Sequence, residues 1–123
     1  MRSARPAALS SKRMRRMADL IQREVALIIR QHVVDPRLQK MVVTLVEMSP
    51  DLKSASIFFT IHDDVLIDDA VQALTKASGF IRSQMAKTAE LRYVPKLFFN
   101  YDAQLAKAER LSSLIDQVAP AAE

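Results

Sequence analysis

The 123-residue chain is half hydrophobic, 26% charged and only 6% aromatic, with a formal net charge of +4 and no cysteine. At that length a fold buries about two thirds of its unfolded surface, so one domain around one core is expected without metal or disulfide staples. The lack of cysteine excludes thiol catalysis, iron–sulfur clusters and thiolate zinc sites. It also fits a reducing compartment. No apolar run reaches the roughly 18 residues of a spanning helix, and no secretory core follows the first arginines, so a cytoplasmic chain without membrane association is expected.

Charge is unevenly placed. Residues 1–18 carry Arg2, Arg5, Lys12, Arg13, Arg15 and Arg16 with no acid, whereas Asp63, Asp64, Asp68 and Asp69 cluster later. Such a two-ended molecule steers polyanions to its basic end, and nucleic acid is the commonest of these.

Residues 1–10, MRSARPAALS, show no sustained period and are expected to form a flexible basic arm. From Ser11, a candidate N-cap, Met14, Met17, Ile21, Val25 and Ile28 recur at helical spacing, with Arg13, Arg16, Arg23 and Arg30 largely off the stripe. This helix should stop near Gln31 or His32, because Val33-Val34 is β-branched and Asp35-Pro36 disfavours helix. Residues 41–48, MVVTLVEM, and 54–61, SASIFFTI, read as two strands joined by the turn residues Ser49-Pro50-Asp51. Alternation assigns Val42, Thr44, Val46 and Met48 to one face with Ala55, Ile57, Phe59 and Ile61. It leaves Val43, Leu45, Ser56 and Phe58 on the other.

Asp63 and Asp64 offer a cap for the next helix, with Asp68 and Asp69 favouring its N-terminal dipole. Its stripe is Leu66, Ala70, Leu74, Ala77, Ile81 and Met85. Gly79, the only glycine, falls in the middle, although average usage would supply about eight or nine. Helix propensity opposes glycine there, so a tight kink or a close backbone approach is expected, splitting the segment into two helices. Lys96 to Tyr101, KLFFNY, reads as a third strand with Leu97, Phe99 and Tyr101 inward, followed by a helix over 104–116 with Leu105, Leu111, Leu114 and Ile115 on its apolar side. The expected domain covers residues 11–117, with 118–123 a frayed tail.

KASGFIRSQMAK at 76–87, LRYVPKLFFNYD at 91–102, DPRL at 35–38 and VEMSPDLKSASIFFT at 46–60 together resemble the ribosome-binding factor A family, bacterial small-subunit assembly factors. The resemblance covers about residues 12–116. It implies an α+β, type II KH-like domain: a three-stranded sheet with helices on one face, in the order α-β-β-α-(kink)-α-β-α. Ala77, Ser78 and Gly79 would form the kink, in place of the Gly-x-x-Gly loop of RNA-clamping relatives. It further implies a non-enzymatic factor that binds the free small ribosomal subunit and its rRNA. Support of late maturation, including 5′-end processing, and of growth in the cold are implied with it.

A KH-type surface holds a nucleic-acid backbone where two helices meet, because amides at a helix end favour phosphate. Lys76, Ser78, Gly79, Arg82 and Lys87 lie around that junction and, with Arg13, Arg15 and Arg16, form the candidate RNA site. The bland alternative is a solvated charged face. If three to five phosphates are neutralised, affinity should fall with salt at a log–log slope of about −2 to −4.5. Tyr93, Phe98 and Phe58 are aromatics that could stack bases, but aromatics near strands are more often core, and Phe98 on the outer sheet face is the one stacking candidate to test.

Catalysis finds little support. His62 beside Asp63 and Asp64 is better explained by capping than by a metal, His32 has no partner nearby in sequence, and one glycine cannot build a nucleotide loop. No cofactor, metal or small-molecule substrate is implied, and a free monomer is expected. Two other readings stay open. One is a generic KH-type RNA-binding module; the other is a protein-interaction adaptor using the outer sheet face of Val43, Leu45, Phe58 and Phe98.

Overall fold

The computed structural model describes residues 4–62, 64–89, 91–105 and 107, with side chains from Ser11 onward. In chain order it contains α1 (Ala4–His32), a 3-10 turn (Pro36–Leu38), β1 (Val42–Met48), β2 (Ser54–Thr60), α2 (Ile67–Thr88) and β3 (Lys96–Tyr101). The strands lie in the order β1-β2-β3, with β1 and β2 antiparallel and β2 and β3 parallel. A parallel pair needs a long crossover, which α2 supplies. Both helices cover one face of the sheet, giving a two-layer α+β domain.

The core is the space between the layers. Ile21, Val25 and Ile28 of α1 meet Ala70, Leu74, Ile81 and Met85 of α2 above Ala55, Ile57, Phe59, Leu97 and Phe99 of the sheet. Among the described residues no polar or charged side chain is buried. The helical and strand alternations read from the sequence therefore meet in one apolar layer.

α1 begins at Ala4 rather than Ser11, so Ser11 lies inside the helix and caps nothing. Pro6 is tolerated because the first turn has no intrahelical donors to lose. The helix stops at His32 as expected. Asp35 then accepts from the Arg37 backbone N (3.0 Å), Nε (3.0 Å) and Nη2 (2.7 Å), and so closes the 3-10 turn. That turn delivers Leu38 to the core, 2% exposed.

The β1 alternation breaks once. The register runs Val43↔Phe59 and then Leu45↔Phe58, leaving Thr44 bulged out. A bulge inverts the phase of everything before it. Val43 therefore turns toward the core and Val42 is 57% exposed, the reverse of the expectation, while Val46 and Met48 point inward as expected. Thr44 Oγ1 donates to Asp102 Oδ2 at 2.7 Å, and the Asp102 N–H donates to the Phe59 carbonyl at 2.7 Å. The bulge thus ties β1 to the end of β3 across β2.

α2 departs from expectation at both its start and its middle. Leu66 is the N-cap, 70% exposed and without a side-chain cap, and Asp64 instead accepts from His62 Nδ1 at 2.6 Å. Asp63 lies outside the described residues. The helix then runs unbroken for 22 residues through Gly79, which has no positive φ. The two expected helices are therefore one continuous helix. Leu74 and Ile81, on either side of Gly79, pack on the same core, which outweighs the roughly 1 kcal/mol propensity cost of one glycine. Close approach does not explain Gly79 either, since a Cβ there would meet nothing within 4 Å.

In the hairpin, Ser49 Oγ donates to Asp51 Oδ1 at 2.7 Å, and Leu52 takes a left-handed φ of 61° while packing against the core. After β3, Asp102 Oδ1 accepts from the Leu105 N–H at 2.9 Å, and residues 103–105 and 107 are helical. The rest of the helix expected over 104–116, and the tail at 118–123, lie outside the described residues.

Candidate nucleic-acid interface

The Glu24 carboxylate accepts from Thr88 Oγ1 at 2.9 Å, and the rings of His32 and Phe80 meet edge-on at 6.1 Å. As α1 advances from 24 to 32, α2 therefore recedes from 88 to 80. The helices are antiparallel neighbours, and the surface of this layer away from the sheet is where the basic residues gather.

Because α2 is continuous, its geometry decides which predicted residues share a face. Lys76 and Arg82 are six residues apart, about 120° around the axis, and so face different ways. Lys76 and Lys87 are eleven apart, about 20° around the axis and roughly 16 Å along it. Both are exposed on the side of α2 nearer α1, whereas the exposed Gly79, about 60° from Lys76 in the other direction, faces away from α1. Ser78 and Arg82 turn toward β3 instead. Arg82 Nε donates to the Pro95 carbonyl and its Nη2 to the Val94 carbonyl, each at 3.0 Å, and Ser78 Oγ donates to the Thr75 carbonyl at 2.8 Å. Arg82 thus holds the segment leading into β3.

The three arginines of α1 also diverge, although all are exposed. Arg15 lies two turns before Gln22, whose Nε2 donates to the Val43 carbonyl at 3.4 Å, and so belongs to the flank beside β1. Arg13 lies on the flank of Glu24, facing α2. Arg16 faces outward. Two further outward residues, Arg23 and Arg30, lie off the apolar stripe in the sequence but are absent from the candidate RNA site; seven-residue spacing from Arg16 is the signal that places them on one line.

Among the described residues the one Arg or Lys ion pair is Arg37–Asp35 at 2.7 Å, and the His62 ring nitrogen Nδ1 lies 2.6 Å from Asp64 Oδ1. Neither engages a cation of the helical layer. Arg37 and its backbone N–H hold the Asp35 carboxyl down at about 2. An open groove of about 580 Å³ lies between the end of α1, the 3-10 turn and β1, walled by Ile29, Val33, Met41 and Val42 with Arg30 and His32 at its rim. It brings no nucleophile and base together, and the described residues contain no cluster of three potential metal ligands.

The opposite face of the molecule is different in character. On the outer side of the sheet, Leu45 and Phe98 are exposed and Phe58 half-buried, flanked by Glu47 and Lys96. Tyr93, 77% exposed, sits in the loop before β3. The aromatics Phe58 and Phe98 and the cations of the helical layer therefore lie on opposite faces.

An α+β domain with helices on one sheet face, crossover α2 and a cationic outer helical surface belongs to the KH-like class. The ribosome-binding factor A family model matches residues 13–115, and the chain belongs to that family. A Coxiella burnetii ribosome-binding factor A is 41% identical over 107 residues, covering 87% of this chain and 90% of its own. The crystal structure of ribosome-binding factor A from Thermus thermophilus superposes with a TM-score of 0.64 at 25% identity, covering 72% of this chain and 94% of its own. Thermus thermophilus coordinates fitted into a cryo-EM map of a complex with the 30S particle match with a TM-score of 0.57 at 27% identity, covering 66% of this chain and 86% of theirs.

Proposed function

We propose that this protein is a non-enzymatic assembly factor that binds the free small ribosomal subunit through its rRNA in the cytoplasm and supports late maturation, including processing of the RNA 5′ end. Family membership supports the small subunit as partner, as do the Thermus thermophilus coordinates fitted to a 30S complex. No described helix is long and apolar enough to cross a membrane. The observation that carries the RNA-binding part is the outer helical surface, where Arg16, Arg23, Arg30, Lys76 and Lys87 are exposed with no carboxylate within ion-pair distance among the described residues. Phosphates neutralise such a surface by displacing counterions. Gly79, beside Lys76, leaves room for a backbone to come close.

Cells depleted of the protein are expected to accumulate free small subunits whose RNA keeps an unprocessed 5′ end, a defect corrected by the wild type but not by Lys76→Glu/Lys87→Glu. Normal subunit profiles and mature 5′ ends after depletion contradict the proposal.

A further inference from the structure

The outer face of the sheet carries an apolar patch that the two helices, packed on the other face, leave open. Leu45 pairs with Phe58 across β1 and β2, and Phe98 stands opposite Ser56, one diagonal step from Phe58. Diagonal neighbours are within reach of aromatic side chains, so the exposed Leu45 and Phe98 and the half-buried Phe58 form one patch. A contiguous apolar patch rimmed by polar residues, here Glu47, Lys96 and Asn100, marks a surface that something covers.

The end of β3 shows where a cover can come from. Tyr101 turns inward, its ring edge-on to the buried Phe59 with centroids 6.1 Å apart, so alternation puts Asp102 on the outer side. Its carboxylate makes two bonds there: Oδ2 accepts from Thr44 Oγ1 at 2.7 Å, and Oδ1 accepts from the Leu105 N–H at 2.9 Å. The second is an N-cap bond, so the chain leaves the sheet by starting a helix from its outer side. In the sequence that follows, Leu111, Leu114, Ile115 and Val118 recur at i, i+3, i+4 and i+7, the spacing of one helical face. The lengths also agree. Counted from Asp102, Leu111 is about 13 Å along a helix and Phe98 about 13 Å back along β3, so a helix doubling back over the strand brings its apolar stripe onto the patch. A segment tethered this closely has an effective concentration of order millimolar, which neither a second copy nor a separate partner matches at ordinary protein concentrations.

We propose that residues 106–118 fold back as an amphipathic helix on the outer sheet face, seating Leu111, Leu114 and Ile115 on Leu45, Phe58 and Phe98. The sheet then lies between two helical layers, and its outer face is an internal contact of the chain rather than a docking surface for another protein.

The chain has no cysteine, so a single nitroxide can be attached through Ser113→Cys, a position off the apolar stripe. In the isotope-labelled full chain carrying this label, the backbone amide NMR signals of Leu45, Phe58 and Phe98 are expected to lose most of their intensity relative to the reduced label. Those of Arg16 and Arg23, on the outer helical face, should keep theirs. Leu111→Ser/Leu114→Ser/Ile115→Ser in the same labelled chain, with circular dichroism confirming the fold, should restore the outer-face signals. Unattenuated outer-face signals in the first sample, or attenuation that persists in the triple variant, overturns the inference. Mixing isotope-labelled chain lacking the nitroxide with unlabelled chain carrying it tests the second-copy case. No attenuation is expected in the mixture; attenuation there means that the segment docks on a neighbouring molecule and overturns the inference as well.

Discussion

Arg82 illustrates how a cation in a basic segment becomes structural. Two of its donors are committed to the carbonyls of Val94 and Pro95, which would otherwise lie unpaired at the entry to β3. Replacing it with alanine removes charge-assisted hydrogen bonds and is expected to cost about 1–3 kcal/mol in chemical unfolding. RNA affinity per folded molecule should change little, whereas a tenfold loss at full folding would assign Arg82 to the interface. Asp35 has its pKa lowered from 3.8 to about 2, chiefly by the side-chain hydrogen bond from Arg37 and then by the Arg37 backbone N–H. A depressed folded-state pKa stabilises the fold above the unfolded value near 4, and that contribution is lost as pH falls through about 2. An NMR titration of Asp35 should show the low midpoint, and Arg37→Ala should move it upward. Leu38, placed by the same turn, is fully buried; Leu38→Ala is expected to destabilise by about 2–5 kcal/mol in urea unfolding.

Among the elements, α2 shows where local sequence and tertiary context part. Propensity reads Gly79 as a break, yet the apolar residues on either side pack on one core and keep the helix continuous. Gly79→Ala should therefore stabilise the protein by about 0.5–1 kcal/mol, since the added methyl meets no neighbour. Thermal unfolding checks this; a destabilised variant would contradict the continuous helix. The strands were legible because period-two alternation is a local signal, as in Leu97 and Phe99 of β3, and the α1 stripe was legible for the same reason. The β1 bulge was not legible, because Thr44 is fixed by Asp102, 58 residues away in sequence. Likewise, nothing local announces that Arg82 reaches Val94 and Pro95. The candidate site was thus legible in residue type and element, but its division between two flanks of α2 awaited the helix geometry.

Across the whole molecule, function follows from segregation. The apolar core fixes two helices on one side of the sheet, the helices turn their cations outward, and the opposite face keeps exposed Leu45 and Phe98 beside one acid and one base. A net charge of +4 understates the field that a polyanion meets at the helical face. The most direct measurement sediments the purified protein with free small subunits, free large subunits and joined ribosomes over a range of salt. The account predicts travel with free small subunits in preference to the other two, released as salt rises through the steep range expected of phosphate contacts. Equal association with all three particles, or none with small subunits at low salt, would contradict it.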